Sequence, residues 1–124
     1  KVVTIEARTM VSVARTQIMP AALTHQTHLA ETVATTMAAE VDCDDLHADL
    51  KEHVALVGRL RAATVALEAT IEHSGHDVEK HAKALRDKTI PAMVALREVC
   101  DELETRVADD LWPLPTYREM LFIK

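Results

Sequence analysis

The chain has 124 residues, 48% of them apolar and 27% charged, with only two Gly and a net charge of −6. This length supports a single domain with its own core, and the apolar share excludes a disordered chain. Scarce Gly argues against an all-β fold with tight turns, and the acidic balance argues against a duplex-DNA binder, which needs clustered Lys and Arg.

Helix formers dominate, and the few turn signals divide the chain into three long helical segments, roughly 2–41, 45–74 and 77–110. The first carries an apolar stripe through Ile5, Ile18, Ala22, Leu29, Val33 and Met37, although its many Thr residues lower helix propensity. Pro20 interrupts it and removes a backbone donor opposite Thr16, so the helix either kinks there or ends and restarts. In "EVDCDDLH", Asp42 or Asp44 is the candidate N-cap of the second helix. That helix places Leu46, Leu50, Val54, Val57, Leu60, Leu67 and Ile71 at spacings of mostly three and four.

"HSGHD" supplies Gly75 to end the second helix and Ser74 or Asp77 to open the third. The third stripe runs through Val78, Ala82, Leu85, Ala92, Leu96, Val99, Leu103 and Val107. Pro91 interrupts it opposite Asp87, in a context ("RDKTIPA") that echoes "RTQIMPA" around Pro20. Near-heptad stripes favour small crossing angles, and short connections make neighbours antiparallel. The expected fold is all-α: an elongated up-down-up bundle of three long helices, two of them interrupted by Pro, plus a short C-terminal helix. Residues 1–110 form the bundle. Residues 111–124 form an extended Pro-containing tail with that terminal helix, within the same domain.

The tail, "DDLWPLPTYREMLFIK", holds the only Trp, Tyr and Phe of the chain. Pro113 and Pro115 keep it extended, and Thr116 with Glu119 has the form of a capping box opening a helix at about 117–122. A core of Ala, Val, Leu and Ile does not need these rings. They either plug the end of the bundle or anchor an interface, and Trp112, Pro113, Tyr117, Leu121 and Phe122 are the interface candidates.

Catalytic signatures are absent from the sequence: no phosphate-binding Gly loop, nucleophile elbow or dinucleotide fingerprint. Seven His include the pairs His25/His28 and His73/His76, but no Cys pair or Glu-x-x-His repeat completes a metal site, so they read as solvated or capping residues. Arg59, Arg61, Arg86 and Arg97 could line an anion pocket and read more simply as solvated flanks of the stripes. Cys43 and Cys100 read as reduced thiols. Their expected position towards one end of the bundle would allow a bridge to form in air. No run reaches membrane-spanning length and no signal peptide precedes the first residues, so a cytoplasmic protein is expected.

Three stretches carry a family resemblance. "EARTMVSVARTQIMPAALTHQTHLAETV" (6–33), "LRDKTIPAMVALREVCDELETRV" (85–107) and "LWPLPTYREMLF" (111–122) resemble the C-terminal region of type III glutamine synthetases. Residues 41–80 match only in helical character. The resemblance implies a piece of a larger ligase, in keeping with a first helix that opens without a cap or initiator Met. Such an enzyme joins ammonia to glutamate with ATP and Mg or Mn, through a γ-glutamyl phosphate. Its active-site residues lie upstream, so no catalytic, cofactor or metal residue is carried over. The implied role is a structural or assembly domain. Its partners would be the catalytic region of the parent chain and neighbouring subunits of a homo-oligomer, with no nucleic acid or membrane. A stand-alone binding or regulatory bundle is the alternative, and a small helical enzyme with an Arg-lined pocket is a third.

Overall fold

The computed structural model of the chain describes residues 2–72 and 82–114. It is an all-α bundle. Helix α1 (Val2–Val13) runs through a π-helical turn (Ala14–Ile18) into α2 (Met19–Ala38). Helix α3 (Asp44–Glu72) returns antiparallel. Residues 82–84 are helical and lead through a second π turn (Leu85–Thr89) into α4 (Ile90–Arg106). Expectations for "HSGHD", Val78, the Thr116–Glu119 box and the terminal helix lie outside the described residues.

The prolines neither end nor break their helices. Ahead of Pro20, the Met19 amide bonds the Ala14 carbonyl five residues back; ahead of Pro91, the Ile90 amide bonds Leu85 in the same way. Backbone angles stay right-handed helical at Ile18, Met19, Thr89 and Ile90. One extra residue in the turn carries the carbonyls away from the pyrrolidine ring and absorbs the missing donor. The echoed Pro contexts thus have the same structural device, and the residue two before each Pro, Ile18 or Thr89, is buried.

In the Thr-rich first helix the hydroxyls find partners by bonding backward along it, and packing on α3 supplies the stability that Thr propensity does not. Thr9, Thr16, Thr24, Thr27, Thr32 and Thr35 each donate to the carbonyl four residues earlier, at 2.7–3.1 Å. The helix ends in a Schellman motif. Val41 N–H donates to Thr36 O at 3.3 Å and Glu40 N–H to Met37 O at 3.0 Å, with Glu40 left-handed at φ 62. Helix α3 starts at Asp44, so Asp44 and Asp45 occupy its first turn, beside the positive end of its dipole, rather than the cap.

Helix α3 is the central member, packed on α1 and α2 on one side and on α4 on the other. Ala7, Ala14 and Ala22, all buried at the interface, let the first helix approach closely, and Leu60 and Leu67 are fully buried in the same core. Leu96, Val99 and Leu103 complete it from the last helix, with Val107 just beyond its end. Among the described residues, three ion pairs stitch the flanks. Arg15 forks onto Glu68 at 2.5 and 2.6 Å, Arg59 onto Glu102 at 3.1 and 3.2 Å, and Arg106 reaches Glu52 at 3.0 Å.

The stripes differ from expectation in register. Val54 is 46% exposed, whereas its neighbours His53, Leu56 and Val57 are buried; Ile5 and Met37 face solvent, and the buried line of α1 runs through Ala7 and Val11. A period of 3.6 drifts against a heptad, so polar His53 and Thr64 take core positions that their residue types did not suggest. The cysteines are not at one end. Arg59–Glu102 sets Cys100 beside the middle of α3, roughly 24 Å from Cys43 at the helical rise per residue, too far for a disulfide. Both are free thiols.

A candidate docking surface between the first and last helices

Both outer helices pack on α3, and α1 touches α4 and the turn before it more sparsely, leaving a groove along their seam. Arg106 is followed by Val107 in extended conformation, and the amides of Leu111 and Trp112 bond back to the Ala108 carbonyl at 2.9 and 3.2 Å. This turn reverses the chain and lays Trp112 and Leu114 into the seam. Trp112 is 8% exposed and belongs to the hydrophobic core, with its Nε1 buried and without a hydrogen-bond partner among the described residues.

Beyond the indole lies a groove of about 610 Å³. Met10, Ile18, Met93 and Leu96 line it with Trp112, and Glu6, Thr9, Arg97, Asp101 and Glu104 contribute its polar lining. A second hollow of about 300 Å³ shares Glu6, Met10, Met93 and Arg97 with it and extends the seam past Ile90 and Val94. Ile5 at 66% exposure and Val94 at 51% make the flanks of the seam apolar and open to water. Isolated exposed apolar side chains are ordinary; here two of them, Ile5 and Val94, stand beside the same pair of hollows.

Cys100 is half-buried in the groove wall. Burial first, and the neighbouring Asp101 carboxylate second, push its thiol up to about 11, so it is an inert thiol and not a nucleophile.

At the far end of the segment, His25 and His53 meet edge to face with ring centroids 5.0 Å apart. His53 is 1% exposed. Its Nε2 lies 2.8 Å from the Ala22 carbonyl, which makes that nitrogen the donor, and its Nδ1 is buried without a partner. His25 Nδ1 accepts from the Ala108 amide at 3.4 Å. Burial, then His53 and His28, lower the proton affinity of His25.

Of the interface candidates read from the sequence, Trp112 lies in the core beneath the groove and Pro113 is exposed beside it. Tyr117, Leu121 and Phe122 lie outside the described residues. The four arginines considered for an anion pocket do not converge: Arg97 lines the groove, Arg61 lines a different hollow, Arg59 is held by Glu102, and Arg86 is exposed on the second π turn. Among the described residues no three His, Cys, Asp or Glu side chains are grouped to hold a metal ion. No described helix is long and apolar enough to cross a membrane. Sequence reasoning missed His53 and the groove. The signal for the groove was present as "IPAMV", where Ile90, Met93 and Val94 widen the apolar arc of α4 beyond one stripe.

These features define an all-α bundle segment with one open, apolar-flanked seam. Residues 1–37 match the family model described as "Glutamine synthetase C-terminal domain". The chain is 31% identical to the "Type-3 glutamine synthetase" of Dictyostelium discoideum, in an alignment covering 100% of the chain and 18% of that protein. It is 30% identical to a "Glutamine synthetase" of Bacteroides fragilis (strain YCH46), over 98% of the chain and 18% of that protein. The chain is thus similar to glutamine synthetases of this type, and its first 37 residues to a glutamine synthetase C-terminal domain. It spans about a fifth of the length of these curated relatives.

Proposed function

We propose that this domain is a non-catalytic structural module of a type III glutamine synthetase. Its α1–α4 seam and its Pro-containing tail pack against the catalytic region of the parent chain and against neighbouring subunits of a homo-oligomer. The parent would ligate ammonia to glutamate with ATP and Mg or Mn, held by residues outside this segment. Pro113, Tyr117, Leu121 and Phe122 are the tail residues assigned to the contact, with Trp112 as the buried root from which the tail departs.

The observation that carries this reading is the open seam: exposed Ile5, Ile90 and Val94 flank a groove in a chain that aligns end to end with a small fraction of much longer relatives. Large apolar anchors beside a polar rim are the anatomy of a subunit contact. The test is full-length parent enzyme truncated before Leu111, alongside a full-length Ile5→Asp/Val94→Asp variant. Smaller assemblies in gel filtration, with the upstream active-site residues untouched, are expected for both. Unchanged oligomer size and activity in both would sink the proposal.

A further inference from the structure

We propose that His25 and the backbone amide of Ala108 form a latch that acidification opens, releasing the segment that carries Trp112 from its seat. Three observations meet at this point. The Ala108 amide, at the start of the chain reversal, donates to His25 Nδ1 at 3.4 Å. The His25 ring packs edge to face against His53, itself fixed through Nε2 to the Ala22 carbonyl. The reversed segment then places the single Trp of the chain in the seam.

The chemistry follows from the acceptor. A nitrogen that accepts a hydrogen bond carries a lone pair, so His25 holds its one proton on Nε2. A proton taken from solvent has only Nδ1 to occupy. The Ala108 amide then faces a donor, and its bond is replaced by repulsion.

His28 lies on the same helix, one turn on, and His53 projects from α3; both disfavour added positive charge at His25. From α3 and α4 the Glu52–Arg106 pair is neutral as a unit, and exposed Asp109 and Asp110 follow Ala108 on the segment itself. With burial as the largest influence, the latch is closed at neutral pH and opens below the ordinary histidine range. Its consequence for subunit assembly rests on the function proposed above; the latch itself does not.

Trp112 is its own reporter. In the 124-residue chain, emission followed from about pH 7.5 to 5 should shift to the red as pH falls, with a several-fold rise in acrylamide quenching and unchanged far-ultraviolet helicity. His25→Gln keeps an acceptor without a titrating group and should abolish the shift, whereas His28→Gln should retain it. Backbone amide spectra of the unaltered chain supply a second reading: the Ala108 amide should move with the same midpoint as the His25 ring. An emission maximum that stays fixed across this range, a shift that survives in His25→Gln, or an Ala108 amide that stays put while His25 titrates would each overturn the latch. Assembly of the full-length parent is a separate measurement, so failure of the packing role leaves these outcomes legible.

Discussion

The hydroxyl of Thr89 meets the hydroxyl of Thr70 at 3.0 Å, and Thr70 donates onward to the Leu67 carbonyl at 2.7 Å. This relay ties the widened turn ahead of Pro91 to the middle helix. Thr89 is buried, so its hydroxyl depends on that partner. Thr89→Val keeps the shape and leaves Thr70 its carbonyl acceptor; it should cost about 1 kcal/mol in urea unfolding. A cost near zero would mean that the relay contributes nothing beyond packing.

The register of α3 can be checked by truncation. Leu60 and Leu67 are fully buried, and Leu60→Ala or Leu67→Ala should each destabilise by about 2–5 kcal/mol through lost burial and a residual cavity. Val54→Ala should change stability by no more than about 0.5 kcal/mol, because that side chain faces solvent. Chemical denaturation of the three variants separates the observed face from the one a simple heptad would choose.

Glu40 occupies the left-handed position of the Schellman motif that ends α2, where a Cβ is unfavourable. Glu40→Gly should stabilise the chain by about 0.5–1 kcal/mol, the relief of that strain exceeding the added freedom of Gly in the unfolded chain. A thermal melt reads it directly as a raised midpoint.

Cys100 should resist alkylation. With its thiol pushed up to about 11, roughly one molecule in a thousand carries the thiolate at pH 8. Iodoacetamide labelling of a Cys43→Ser chain should therefore lag far behind that of an unfolded control at that pH. The raised value also sets a sign. Folding favours the neutral thiol, so this contribution to stability is intact below about pH 9 and is lost as pH rises towards 11.

His25 sets the opposite slope. Its folded-state affinity for protons is below the ordinary 6.5, so the unfolded chain binds more protons in the interval between the two values. The contribution of His25 is complete above about pH 6.5 and declines as pH falls through that interval. Glu68, held lower than usual by its hydrogen bonds from Arg15, loses its contribution in a separate, more acidic window below 4.5. Urea midpoints measured against pH should fall in two stages, and His25→Gln should remove only the upper one.

The helices were legible in the sequence because helix formation here is a local matter: apolar spacing, helix-forming residues and scarce turn signals all act within a few residues of one another. The family resemblance around "IMPA" and "LWPLPTY" was legible for the same reason, as short fixed patterns. Tertiary structure decided the rest. Pro20 and Pro91 could each kink or split a helix, and only the continuous packing of Ile18 and Thr89 into the core favours widened turns. His53 reads as polar until the Ala22 carbonyl stands 2.8 Å from its ring. Trp112 could plug the bundle or anchor an interface until the turn at Ala108 folds it into a seam, one wall of which comes from residues some hundred positions away. Burial belongs to surfaces that meet in space, and which apolar arc finds a partner depends on how far apart two helices lie. That distance is a property of the assembled bundle, not of any stretch of chain.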